Sequence, residues 1–217
     1  MVDSTLEEIK QIYVRNKPFL ERIKHKLESE TIESLKEYSS EIDRIYFRVK
    51  EIDRFLEKIQ KKNYSNPLVN IEDQIGGRVI VFFKDDIAFV KDKLMKTFYA
   101  LEDKMVERPE DEITHTSRDD AFGYQSFHLI FKFPPEFNTM IEPYEGKFPK
   151  TFEIQIRTIF MHAYAEPQHR IAYERSEELP KEIRKNLAWI AASAWGADQE
   201  YQRVINWWLN KEDIKKS

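Results

Sequence analysis

The sequence predicts an α+β fold in which a small mixed β-sheet is surrounded by helices. Three observations predict it. Strand-like segments cluster in the middle of the chain, at 76–83, 124–133 and 151–157. Segments with apolar residues at helical spacing occupy both flanks and outnumber the strands. No internal repeat, low-complexity tract or Gly/Ser linker divides the 217 residues. One domain is therefore expected over 1–217, with a helical N-terminal region over 1–62, a sheet region over 63–158 and C-terminal helices over 159–211.

Residues 5–35, rich in Glu and Lys with apolar residues at helical spacing, predict a first helix. SEIDRIYFRVKEIDRFLEKIQKK, 40–62, predicts a second, with Ile42, Ile45, Ile52, Phe55, Leu56 and Ile59 on its buried side. Lys50, Arg54, Lys58 and Lys62 then follow at i, i+4 as a basic ladder along one face. NYSNP, 63–67, ends that helix with turn residues and Pro67. GGRVIVFF, 76–83, reads as a short buried strand. From Asp85, DDIAFVKDKLMKTFYA reads as a helix whose acidic start suits the helix dipole. Residues 107–122 read as a polar loop.

The two remaining strands alternate strictly. In QSFHLIFKF, 125–133, Phe127, Leu129, Phe131 and Phe133 face one side, and Ser126, His128, Ile130 and Lys132 the other. In TFEIQIRT, 151–158, Phe152, Ile154 and Ile156 oppose Glu153, Gln155 and Arg157. If the strands are neighbours with polar faces aligned, Ser126, His128, Glu153, Gln155 and Arg157 share one surface. From Ile159 to about Lys211 the chain reads as helical. All four tryptophans (Trp189, Trp195, Trp207, Trp208) fall there, and one narrow stripe cannot bury them all. Either the pair Trp207 and Trp208 packs beneath the N-terminal helices, or part of the cluster forms a partner surface.

Composition excludes several classes. There is no cysteine, hence no disulfide framework, thiolate nucleophile or Cys-ligated metal. A net charge of −4 excludes a globally basic, histone-like binder. MVDSTLEEIKQIYVRNK lacks the apolar run of a signal peptide, and no stretch approaches bilayer length. A cytoplasmic protein is expected.

Several residues could carry chemistry. Asp73 stands just before a buried strand, where its carboxylate can project into a cleft; together Asp73 and Glu153 could hold Mg²⁺. Arg78 follows, after Gly76 and Gly77, which let a ligand or another backbone approach. The segment 44–62 carries seven basic residues, donors for a polyanion such as a triphosphate. Tyr124, after Gly123, can stack on a base. His162, Glu166 and His169 lie near one helical stripe, a metal-ligand pattern that Pro167 interrupts.

These residues resemble the RelA/SpoT alarmone synthetase family. GYQSFH at 123–128 and EIQIRT at 153–158 look like its two most diagnostic motifs. RVK at 48–50, with Lys58 eight residues after Lys50, resembles its ATP-binding helix. DQIGGRV at 73–79 resembles its strand-leading Asp-x-x-x-x-Arg motif, and MHAYAE at 161–166 the helix after its last catalytic strand. The resemblance spans roughly 40–205.

What it implies is a nucleotidyltransferase-like synthetase domain that moves the β,γ-pyrophosphate of ATP to a ribose 3′-hydroxyl. The resemblance makes Asp73 and Glu153 the Mg²⁺ carboxylates, with Glu153 also accepting the hydroxyl proton. Arg48, Lys50, Lys58 and Arg78 would clamp ATP. Arg54, where the family often has a small polar residue, joins them as a candidate. Tyr124 would stack on the acceptor base, with Ser126, His128, Gln155 and Arg157 lining that half. The chain has no His-Asp dipeptide of the family's hydrolase domain, so a stand-alone small synthetase is expected.

The acceptor expected from the resemblance is GDP or GTP, giving (p)ppGpp. An alternative is a toxin that pyrophosphorylates the 3′-CCA end of tRNA. Its partner would be a neutralising antitoxin, and the basic Arg15, Lys17, Arg22, Lys24 and Lys26 would meet the RNA. A non-catalytic binding module on the same fold would have damaged carboxylate positions. Self-association through the C-terminal aromatic helix is a further partner expectation.

Overall fold

A computed structural model of the protein describes residues 5–62, 64–100, 106–109, 125–144, 147–173 and 179–216. The first helix, α1 (Leu6–Ser34), begins at a capping box. Thr5 Oγ1 accepts from Glu8 N–H (3.3 Å), and Glu8 Oε2 accepts from Thr5 N–H (2.9 Å). Its buried stripe, including Tyr13, Leu20, Ile23 and Leu27, follows helical spacing.

Strand β1 (Ile42–Val49) comes next, then α2 (Ile52–Lys61) and the short α3 (Pro67–Asn70). Strand β2 (Ile75–Val81) leads to α4 (Asp86–Thr97), and then to β3 (Tyr99–Ala100), β4 (Val106–Pro109) and β5 (Gln125–Lys132). After the short α5 (Asn138–Ile141), β6 (Thr151–Thr158) runs directly into α6 (Ile159–Tyr173), and α7 (Lys181–Lys216) follows.

The strands form one mixed sheet in the order β1-β2-β6-β5-β3, with β4 also on β5. Among the described residues only β2 and β6 run parallel; the other pairs are antiparallel. The apolar face carries Phe47 and Val49 of β1, Val79 and Val81 of β2, Leu129 and Phe131 of β5, and Ile154 and Ile156 of β6. Helices α1 and α4 cover it. Its far end is a phenylalanine cluster in which Phe152 meets Phe98, Phe131 and Phe133 at ring-centroid separations of 5.3, 5.5 and 5.4 Å. Burying each such side chain stabilises the fold by about 1.5–3 kcal/mol. Helix α1 also blunts the β1 edge, because Glu28 Oε1 accepts from Phe47 N–H at 3.0 Å.

The structure corrects the sequence reading at 40–62, and so the expectation of an all-helical N-terminal region. Ile42–Val49 is a strand, because Ile45, Phe47 and Val49 alternate with Arg44, Tyr46 and Arg48, and β-branched and aromatic residues suit that conformation. The helical spacing of Ile42 and Ile45 with Ile52 joined two separate elements. The four-residue basic ladder therefore does not exist: Lys50 lies between β1 and α2, and Lys62 is the α2 C-cap. The first residues of the expected loop 107–122 belong to β4, and 110–122 lie outside the described residues. Pro167 sits inside α6, so the helix continues past it.

Candidate active site

Register brings the polar side chains together. Arg48 pairs with Gly76, and Gly76 with Glu153; one step along, Tyr46 pairs with Arg78, Arg78 with Gln155, and Gln155 with His128. Paired residues project to the same face, so four strands contribute to one polar surface. Gly76 is a gap in it, since a Cβ there would meet nothing within 4 Å. The neighbouring Gly77 faces the core, where a Cβ would meet the Phe47 ring at 2.4 Å.

Asp73 sits in a 3-10 turn, Glu72–Gln74, that delivers the chain into β2. Lys50 Nζ, just past the end of β1, lies 2.9 Å from Asp73 Oδ2, and Lys58 Nζ, from α2, lies 2.8 Å from Oδ1. Burial pushes the Asp73 carboxyl up, but Lys50 and then Lys58 outweigh it and hold the pKa at about 2. Gln74 anchors the turn: its Nε2 donates to the Leu68 carbonyl at 2.9 Å.

Glu153 is buried on β6. His128 Nδ1 lies 2.6 Å from its Oε1, and Gln155 Nε2 donates to its Oε2 at 3.1 Å. Burial, the largest influence, raises the Glu153 pKa, but His128 and then Gln155 together hold it below the ordinary value. Arg157 Nη2 donates to Gln155 Oε1 at 2.8 Å. Asp73 and Glu153 are near enough for Asp73 to push the Glu153 pKa upward.

A residue the sequence reading did not assign to this site closes it. Glu166, on α6, accepts from Arg78 and lies 3.5 Å from Arg157 Nη1. Arg78 also donates to the Tyr46 hydroxyl at 2.8 Å. Two arginines on an otherwise buried strand face demand a nearby carboxylate, and that demand was the available signal. The same pairing answers the metal pattern at 162–169: Glu166 serves guanidinium groups, with His162 Nδ1 3.9 Å away, and the His169 side chain lies outside the described residues.

Of the other expected residues, Arg48 is exposed on the same face, and Ser126 is buried with Oγ 2.6 Å from His128 Nε2. Arg54 lies 3.6 Å from Glu57; burial and nearby Arg48 lower its pKa against the pull of Glu57. Tyr124 lies outside the described residues. The basic residues of α1 are largely engaged: Lys17 with Glu51 (2.9 Å), Lys24 with Glu21 (3.2 Å) and Lys26 with Glu30 (3.9 Å). Arg22 lies over the Phe19 ring.

A sequence model described as a region found in RelA/SpoT proteins matches residues 47–178. The chain belongs to the RelA/SpoT family. A curated relative, GTP pyrophosphokinase YjbM of Bacillus subtilis (strain 168), is 31% identical over 191 residues, covering 85% of this chain and 82% of the relative. The crystal structure of small alarmone synthetase 1 from Bacillus subtilis shares the fold, with a TM-score of 0.72 over 94% of this chain and 98% of that one at 22% identity. The same synthetase bound to its product pppGpp matches at TM-score 0.65 and 27% identity, covering 91% of this chain and 97% of that one. Bound to AMPCPP it matches at 0.63 and 26%, with the same coverage. These likenesses bear out the expected α+β class and the RelA/SpoT resemblance.

Proposed function

We propose that the protein transfers pyrophosphate from ATP to the ribose 3′-hydroxyl of GDP or GTP, releasing AMP and giving (p)ppGpp. The observation that carries this reading is the pair of ionised carboxylates, Asp73 and Glu153, on one sheet face among Lys50, Lys58 and Arg78. Such transfers ask a protein chiefly for positioning and charge neutralisation. That the relative YjbM is a GTP pyrophosphokinase, and that small alarmone synthetase 1 binds pppGpp and AMPCPP, supports it.

In this reading Asp73 and Glu153 hold Mg²⁺. The donor set fits: two deprotonated carboxylates, beside open space over Gly76, suit an ion that keeps waters and shares substrate phosphates. When bound, the ion neutralises charge on the transferring group. Glu153 takes the proton of the attacking hydroxyl, and His128 holds its carboxylate in position. Arg48, Lys50, Arg54, Lys58 and Arg78 bind the triphosphate. Tyr124 stacks on the guanine, and Ser126, His128, Gln155 and Arg157 line that half. The cytoplasm is the compartment this reading expects. Among the described residues, no helix is long and apolar enough to cross a membrane.

The test is to incubate the protein with ATP carrying a labelled β- or γ-phosphate and, separately, GDP, GTP and deacylated tRNA. Label is expected on the guanine nucleotides. Label on tRNA alone would replace the reading with the toxin one, and a neutralising antitoxin would then be sought. No transfer to any acceptor would favour a binding module. For partners, the aromatic residues of α7 are the candidate surface, whether for a second copy or for an antitoxin.

A further inference from the structure

Helix α1 lies wholly outside the matched region 47–178, yet it reaches the lysines that hold Asp73. Tyr13 is buried on its inner face, and the hydroxyl donates to the Lys50 carbonyl at 2.7 Å. The ring stacks on Phe55 of α2, with centroids 4.0 Å apart and planes 14° from parallel. A core tyrosine needs an acceptor for its hydroxyl, and any carbonyl would satisfy it. This one takes the carbonyl of the residue whose ammonium lies on Asp73. Burial, and then the charge of Asp73, raise the Tyr13 pKa, so the hydroxyl stays a donor.

The backbone of Lys50 is thereby gripped on both sides. Its N–H donates to the carbonyl of Gln74, the residue after Asp73, at 2.9 Å, and its own carbonyl accepts from Tyr13. With the backbone fixed, only side-chain torsions remain to aim Nζ. Phe55 stands one turn before Lys58, the second lysine on Asp73, so the stacked ring sets the seat of that lysine too. Lys17, one turn after Tyr13, lies 2.9 Å from Glu51, an exposed pair that adds little. Helix α1 is itself anchored beyond Tyr13. Asn16 Nδ2 donates to the Lys147 carbonyl at 2.7 Å, and Phe19 stacks on Tyr144 at 4.1 Å.

We propose that Tyr13 is a positioning residue for the donor half of the site: through the Lys50 carbonyl and the Phe55 ring it aims the two lysines at the ATP triphosphate. What the lysines bind rests on the proposed function; how they are held rests on the distances above. A misplacement of about 1 Å that starts far from the chemistry can cost about 100-fold in rate. Helix α1 therefore belongs to the nucleotide site as well as to the core.

Tyr13→Phe tests this, because it keeps the stacked ring and removes only the hydroxyl. KM for ATP is expected to rise about tenfold, the scale of one hydrogen bond, while KM for the guanine nucleotide stays within roughly twofold. Calorimetry with ATP alone should show the same loss. A second readout needs no nucleotide. Lys50 is the largest influence lowering the Asp73 pKa, so a loosened Lys50 lets that pKa rise from about 2 towards 3.8. The stability that Asp73 contributes above pH ~4, and loses in acid, should then shrink in Tyr13→Phe. Ile87→Val, a buried change on α4, is the control for a plain loss of stability and should leave both KM values and the acid slope in place.

A Tyr13→Phe protein that melts lower but keeps its ATP affinity and its acid slope overturns the proposal. So does an equal rise in both KM values. Lys50→Ala separates that failure from a failure of the proposed function. If Lys50→Ala weakens ATP binding and Tyr13→Phe does not, the positioning role falls and the function stands. If neither variant weakens it, the donor assignment of Lys50 falls, and the positioning role with it.

Discussion

His128 Nδ1 lies 2.6 Å from Glu153 Oε1, and Ser126 Oγ lies 2.6 Å from the ring's other nitrogen. An ionised Glu153 can only accept, so the ring's Nδ1–H donates to it. Burial works against the ionised carboxylate, and His128 is the largest influence in its favour. His128→Ala should therefore raise the Glu153 pKa and cost about 100-fold in turnover at neutral pH, within the range of general-base effects. The acid limb of the pH–rate profile should move to higher pH, with activity partly recovered there. A limb that stays in place would separate His128 from the base.

Asp73→Asn and Glu153→Gln are each expected to abolish pyrophosphate transfer, by 100-fold or more in order of magnitude, while the fold persists. Near-normal turnover in either folded variant would end the carboxylate assignment. Asp73 also has a stability signature. Its folded pKa of about 2 lies below the ordinary 3.8, so its contribution is present above pH ~4 and is lost as pH falls towards 2. That contribution is on the order of 2 kcal/mol. Acid melts should lose this slope in Asp73→Asn.

Tyr124 immediately precedes β5, the strand that carries Ser126 and His128. Tyr124→Ala should raise KM for the guanine nucleotide roughly 10- to 100-fold, since stacking is worth about 1–3 kcal/mol per base. ATP affinity should hold. The reverse pattern in calorimetry would move the ring to the donor half.

Much of the site was legible because β5 and β6 alternate strictly; period two alone set Ser126, His128, Glu153, Gln155 and Arg157 on one face. Strand β1 was not, because its Ile42 and Ile45 fall at a spacing that a helix also satisfies and true helical residues follow at once. Glu166 escaped for a different reason. Its role depends on a helix docking over Arg78 and Arg157, and nothing in its own neighbours encodes that. The tryptophans were read correctly as too widely spread for one stripe. The alternative, that the pair Trp207 and Trp208 is buried beneath the N-terminal helices, does not hold, since they are 58% and 49% exposed.

Asp198 is buried against the end of β6, and burial raises its pKa to about 7, opposed by Lys84. An acid whose folded pKa is raised contributes fully below its unfolded value and loses that contribution as pH rises through the folded one. Melting temperature should therefore fall between pH ~4 and ~7 on this account. Asp198→Asn keeps an acceptor for Thr158 Oγ1, and it should flatten the fall and be the more stable protein at pH 8. Equal pH dependence in the two proteins would remove Asp198 as its source.

The clasp of Lys50 and Lys58 on Asp73 has a thermodynamic consequence for nucleotide capture. A bare cationic cleft recruits mobile anions from solution and must expel them when a triphosphate arrives, so its affinity falls steeply with added salt. Here the carboxylate is a resident counter-ion. On the proposed function the lysines would exchange it for phosphate while it stayed within the site as a ligand for the incoming metal, so few ions would be released to the bulk. ATP affinity should therefore decline with salt less steeply than the number of surrounding lysines and arginines would suggest, and Asp73→Asn should steepen the decline even as it stops the chemistry.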